Sequence, residues 1–149
     1  MNPATLDHAG IAARVPHSAS MCLLHALLSW SAEHIECSAI SHADIHNPLR
    51  SQGQLRSPSA IEYASQAMAL HASLCAAPGA APTPGFLASV RSVRLLASRL
   101  DDLTGELRVS AHKLAGDTGQ AMYRFALHDA KGKLLVDGRT TVILNALPD

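Results

Sequence analysis

Two regimes of hydrophobic patterning divide the chain. From Phe86 onward, apolar and polar positions alternate with a period of two, the pattern of half-buried strands. Leu107, Val109 and Ala111 share one face against Arg108, Ser110 and His112, and Tyr123, Phe125 and Leu127 repeat the arrangement. Strands are therefore predicted over Phe86–Ser98, Gly105–Gly116, Ala121–Asp129 and Lys133–Asn145, separated by the turn-forming stretches DDLTG, GDTG and DAKG. Before Phe86 the period changes. SPSAIEYASQAMALHASL, Ser57 to Leu74, is apolar or small almost all the way round and predicts a helix from about Pro58 to Ala77. Pro58 suits the first helical position with Ser57 as cap, and Pro78 and Gly79 stop the run. Further upstream, His25–Trp30 and His34–Ser41 predict a hairpin, with Ile35, Cys37 and Ala39 alternating against Glu36, Ser38 and Ile40. An irregular stretch broken by Pro48 and Gly53 joins hairpin to helix. The first dozen residues and Ala76–Gly85, rich in Ala, Pro and Gly, are expected to be loose.

A short hairpin, one apolar helix and a run of antiparallel strands form an α+β pattern, with the helix packed on one face of a sheet of five or six strands. A helix apolar around its whole circumference must be covered on all sides. One curved sheet covers part of it, so a second subunit is expected to cover the rest. The 149 residues fit a single domain, 1–149, with one core.

Composition narrows the function classes. Lys plus Arg is 12 and Asp plus Glu is 12, which argues against a nucleic-acid partner. A charged fraction of 16% beside an apolar fraction of 48% again suggests an oligomer. No apolar run reaches the roughly 18 residues of a membrane span, and MNPATLDHAG lacks a basic cluster followed by an apolar stretch, so no membrane association and a cytoplasmic location are expected. Cys22, Cys37 and Cys75 are odd in number and none lie in a C-x-x-C pair, so all three are expected to be buried small apolar residues.

Glu62 and Gln66 interrupt the apolar helix four residues apart, on one face. SAIE, Ser59 to Glu62, also matches a capping box, in which the glutamate only reaches back to a backbone N–H. Gln66 equally suits a buried structural amide. His42 and His46, in SHADIHNPLR, are spaced four apart, but Pro48 opposes a helix there and no third ligand is evident, so no metal is expected. His71, deep in the helix, reads as a satisfied core histidine, and His17 after Pro16 as a turn residue. Ser18, Ser20 and Ser65 have no nucleophile-elbow context.

One helix wrapped by an antiparallel sheet resembles the hotdog fold, and three segments carry a closer resemblance to the 3-hydroxyacyl-(acyl carrier protein) dehydratases of fatty-acid and polyketide synthesis. VPHSASMCLLHALLSW resembles the proline-histidine and leucine-rich opening of those enzymes. NPLRSQGQLRSPSAIEYASQAMALH resembles their loop and the helix that carries a carboxylate and then a glutamine. GFLASVRSVRL resembles the strand that follows. NPLR followed by EYAxQAMA is similar above all to the dehydratase-like proteins encoded with aryl-polyene pigment clusters. The departure is the Gly-His-Phe-Pro turn of the ordinary dehydratases: the most similar spot reads QGQL, Gln52 to Leu55, and RSPSA stands where a Pro-Gly pair usually opens the helix.

The resemblance implies a catalytic histidine, for which His42 is preferred and His46 is second, with Glu62 as the acid and Gln66 orienting it. Elimination of water from a 3-hydroxyacyl thioester needs a base at C2, a donor for the thioester carbonyl and an acid at the C3 hydroxyl. A histidine suits the first task, a helix N-terminus the second, and a carboxyl desolvated on an apolar helix the third. No cofactor is implied. The implied partner is an acyl carrier protein with a phosphopantetheine-linked substrate, met by arginines flanking the helix: Arg50 and Arg56 first, with Arg91, Arg94 and Arg99. A homodimer, or a heterodimer with another hotdog subunit, is expected. A hotdog thioesterase and a non-catalytic subunit that pairs with an active dehydratase are the alternatives.

Overall fold

The computed structural model describes residues 4–15, 21–76, 86–117 and 119–143. Six strands, β1 (Ala26–Ser31), β2 (His34–Ala39), β3 (Phe86–Leu95), β4 (Leu107–Gly116), β5 (Gln120–His128) and β6 (Leu134–Ile143), form one antiparallel sheet in the order β1-β2-β4-β5-β6-β3. The sheet wraps α2 (Ala60–Cys75), which packs over β2, β4 and β5. Bulges interrupt every pairing except β2 with β4. Each bulge adds local twist, and together they curve the sheet around the helix.

The period-two pattern holds on the inner face. Ile35, Cys37 and Ala39 of β2, Leu107, Val109 and Ala111 of β4, and Tyr123, Phe125 and Leu127 of β5 are all buried against Tyr63, Ala64, Ala67, Met68, Leu70 and Leu74 of α2. Gly138 of β6 lies opposite Phe125, and a Cβ there would stand 2.8 Å from the ring, so any larger residue would have to displace the ring. His71 is the satisfied core histidine expected: Nδ1 meets the Tyr123 hydroxyl at 2.7 Å and Nε2 the Ser31 carbonyl at 2.8 Å. Burial pushes its basicity down and favours a neutral ring, with Nε2–H donating to the carbonyl and Nδ1 accepting from the phenol.

Several local expectations are corrected. The first dozen residues contain α1 (His8–Ala12), capped by the Asp7 carboxylate accepting from the Gly10 N–H at 2.9 Å, with Ile11 buried in the core. Helix α2 starts later than predicted. Ser57–Ser59 form a 3₁₀ turn, Ser57 is buried with its N–H donated to the Ser98 carbonyl, and neither serine caps the helix through its side chain. Ser38 is buried although its place in the alternation predicted exposure. Cys22 and Cys37 are buried, but Cys75, the last helical residue, is exposed. Burial pushes the Cys37 thiol up to about 12. His17, Ala77–Gly85 and the end of the last predicted strand lie outside the described residues. Among the described residues, no helix is long and apolar enough to cross a membrane.

Candidate active site

A cavity of about 510 Å³ opens between the loop that precedes β1, the end of β2 and the irregular stretch after it. Leu23, Leu24 and Ile40 give it apolar walls, and Ser41, Asp44, His46 and Asn47 give it polar ones. The polar wall is held by a chain of hydrogen bonds whose directions follow from the donors available. Asn47 Nδ2 donates to the Tyr63 hydroxyl at 3.1 Å and to the Ser41 carbonyl at 2.9 Å. The Tyr63 hydroxyl lies 2.7 Å from Ser41 Oγ, and Ser41 Oγ donates to the Leu23 carbonyl at 2.8 Å. Tyr63 is buried and its acidity is suppressed, chiefly by desolvation, so it remains a neutral donor. Asn47 Oδ1 accepts from the Leu49 N–H at 2.9 Å, and the Asp44 carboxylate accepts from the His46 N–H at 2.8 Å. Two side-chain-stabilised turns thus fix the backbone on either side of His46.

The two histidines of this stretch have opposite surroundings. His46 is exposed and lines the cavity. His42 sits in a 3₁₀ turn, Ser41–Ala43, is 1% exposed and is not part of the cavity wall. Among the described residues, neither of its ring nitrogens has a partner in hydrogen-bonding geometry. Burial lowers its basicity, the backbone of Leu103 and Gly105 opposes that shift, and the Arg50 guanidinium adds to it, so the ring is neutral at pH 7.

Glu62 is half-buried in the first turn of α2, where its Oε1 accepts from Gln66 Nε2 at 3.3 Å. Gln66 is fully buried. Its Nε2 also donates to the Met21 carbonyl at 2.6 Å, and its Oε1 accepts the Leu23 N–H at 2.8 Å. One amide therefore ties the Glu62 carboxylate to the segment that forms the apolar cavity wall.

The five arginines do not form one open patch. Arg50 donates to the carbonyls of His42 at 3.1 Å and Gly53 at 3.0 Å, and stands 4.0 Å from Asp101. It fastens the loop beneath the cavity, where Gln52 (φ 53°) and Gly53 (φ 75°) make a tight turn that favours glycine. Arg94 is bonded to Asp137, and Arg99 to Asp101. Arg56, beside the start of α2, and Arg91 are exposed. Tyr63, Ser41 and Asn47 were not singled out by the sequence. The available signal was a phenol inside a helix otherwise reduced to small and apolar residues, which must find a polar partner when buried. Among the described residues, no group of three His, Cys, Asp or Glu side chains is arranged to hold a metal.

Comparison with known proteins gives concordant findings. The sequence model of a family described as ApeP-like, ApeP dehydratase, matches residues 9–147. Among solved structures, the dehydratase heterocomplex ApeI:P from Xenorhabdus doucetiae aligns with a TM-score of 0.81 at 24% identity, over 93% of this chain and 91% of that one. A thioesterase from Haemophilus influenzae aligns with a TM-score of 0.67 at 16% identity, over 93% and 90%. A mutant thioesterase from Pseudomonas aeruginosa aligns with a TM-score of 0.68 at 15% identity, over 93% and 94%. No curated protein matches in sequence. The architecture is the hotdog fold of these neighbours: six curved antiparallel strands around one central helix.

Proposed function

The chain belongs to the ApeP-like dehydratase family, and we propose that it eliminates water from a 3-hydroxyacyl thioester presented by an acyl carrier protein, in fatty-acid or polyketide synthesis of the aryl-polyene type. The observation that carries this reading is the cavity lined by His46, with the Glu62 carboxylate joined through Gln66 to its apolar wall. In this reading His46 is the base. The preference for His42 gives way because a ring 1% exposed, and outside the cavity wall, is poorly placed to meet a substrate carbon. His46 takes a C2 proton, and its electron pair becomes the C2–C3 double bond. Glu62, as the acid, gives a proton to the C3 hydroxyl, the C3–O bond breaks, and water leaves. The N-terminal end of α2, where no Ser59 side-chain cap forms, faces the thioester oxygen with the positive end of the helix dipole while C2 carries negative character. The apolar wall of Leu23, Leu24 and Ile40 takes the acyl chain.

The chain works as one of a pair of hotdog chains, identical or not. Both the apolar circumference of α2 and the two-chain dehydratase among the structural neighbours support pairing. Arg56, exposed beside the helix start, meets the carrier protein, while Arg50 orders the loop. The site needs no metal or cofactor for this chemistry.

The test is incubation of the chain, alone and with a co-expressed hotdog partner, with a 3-hydroxyacyl thioester and a saturated acyl thioester. Enoyl absorbance without free thiol, lost in Glu62→Gln and in His46→Ala, is the expected result. Release of free thiol from both substrates would replace this reading with a thioesterase in which Glu62 activates water. Inactivity alone, with a partner's activity unaffected by Glu62→Gln, would make the chain a non-catalytic subunit.

A further inference from the structure

The register of the sheet aligns basic side chains across five strands. Arg91 of β3 pairs with Arg139 of β6, Arg139 with Arg124 of β5, Arg124 with His112 of β4, and His112 with His34 of β2. Directly paired residues point to the same face of a sheet. Here it is the outer face, because the sequence neighbours Gly138, Thr140, Tyr123, Phe125 and Ala111 are buried on the inner one. Arg91, Arg124, Arg139 and His112 are exposed and His34 is half-buried. Five sequence-distant basic residues thus make one continuous row.

No carboxylate lies in this row. The adjoining row on one side, Ser89–Thr141–Met122–Ala115, is uncharged. On the other side the row Glu36–Ser110–Ala126–Asp137 carries two carboxylates, each already facing an arginine outside the basic row: Asp137 is bonded to Arg94 Nε at 2.8 Å, and Glu36 stands 3.8 Å from Arg108 Nη1. None of the three arginines of the row makes an ion pair with a described residue. Like charges directly opposite one another oppose strand pairing, so the fold does not gain from this arrangement. In a chain whose charges balance only as a whole, 12 against 12, the row is a local excess of one sign that an external anion would compensate.

We propose that this row is a docking surface for an acidic helix of a partner protein. Neighbouring strands are about 4.8 Å apart, so the five rungs span roughly 19 Å. Carboxylates three and four residues apart on one helix face lie about 5–6 Å from each other, a spacing that three to four helical turns keep in step with the rungs. A second copy of this chain docking through the same row does not fit, because it would bring cations against cations. A nucleic acid fits less well, because the basic residues form a single row on a neutral chain rather than a broad basic field. This inference does not depend on the dehydratase reading, and its test involves no turnover.

The probe is a fluorescent helical peptide with glutamates at every third and fourth position of one face, compared with a scrambled peptide of the same composition. The expected result at low ionic strength is saturable binding to the full chain. Binding should weaken roughly tenfold in Arg124→Gln/Arg139→Gln, the loss of two exposed to partly desolvated ion pairs. The double variant should melt no lower than the parent, since it removes paired like charges. If it unfolds, Arg91→Gln and Arg124→Gln as single changes give the same readout at smaller amplitude. Charge reversal, Arg124→Glu/Arg139→Glu, should transfer binding to a lysine-faced peptide, which a merely structural role would not produce. Equal affinity for the scrambled peptide, binding unchanged in the variants, no binding at low salt, or tighter arginine-dependent binding of a duplex oligonucleotide would each overturn the proposal.

Discussion

Replacing Gln66 by leucine tests the link between the central helix and the cavity wall. The amide makes three hydrogen bonds from a fully buried position: to the Leu23 N–H at 2.8 Å, the Met21 carbonyl at 2.6 Å and the Glu62 carboxylate at 3.3 Å. Leucine fills the same volume and restores none of them. Leu23 is buried, so its N–H loses its partner without gaining water, at a cost of about 1–3 kcal/mol. Met21 is half-buried, so its carbonyl recovers part of its hydration and adds about 1 kcal/mol. The sum, about 2–4 kcal/mol, is a large share of the roughly 5–15 kcal/mol that holds a domain together. It should lower the melting temperature by roughly 5–15 °C.

Urea unfolding followed by circular dichroism gives the free energy directly, with the midpoint moving and the slope unchanged. A control separates hydrogen bonding from volume. Gln66→Glu keeps the acceptor for Leu23 but, when ionised, sets a carboxylate against the Met21 carbonyl and Glu62. Folding then favours the protonated form, so the introduced carboxyl has a folded pKa raised above its unfolded value of about 4.3. Its variant should therefore approach the parent's stability below that pH and lose stability as pH rises through the folded value. A loss under about 1 kcal/mol for Gln66→Leu, or a Gln66→Glu deficit that does not depend on pH, would refute the assignment of the amide as the tie between α2 and the cavity wall.

His46→Ala should lower the dehydration rate by roughly two to four orders of magnitude, the usual contribution of a positioned base, whereas His42→Ala should act mainly on stability; enoyl absorbance beside thermal melts separates the two. Because burial holds His42 and His71 neutral, the unfolded chain gains protons first on acidification. Stability is therefore complete above the unfolded pKa of about 6.5 and is lost as pH falls toward the lowered folded values. His42→Leu should flatten that decline below about pH 6.5 in a series of melts, without lowering stability at pH 8. A disulfide reagent should modify Cys75 in the native chain and reach Cys22 and Cys37 only after denaturation, as counted by mass spectrometry.

The elements themselves were legible in the sequence because their signals are local. The apolar run from Ala60 and the alternation through β4 and β5 depend on residues a few positions apart, so periodicity revealed them without knowledge of the fold. Helical spacing likewise put Glu62 and Gln66 on one face, and the structure bonds them together. Tertiary contacts decided what the loops and the outer surface do. His42 and His46 have the same residue type in the same loop. A 3₁₀ turn and the bonds from Asn47 and Ser41 to Tyr63, 16 and 22 positions away, bury one and expose the other. Arg50 reads as a free cation in sequence, but the His42 and Gly53 carbonyls hold its guanidinium in the loop. The row from Arg91 to His34 exists only through register, since each rung comes from a different strand. Sequence fixes which face of its own element a side chain takes, but which distant side chain stands next to it is set by strand pairing and loop closure, and those are decided only by the energy of the assembled core.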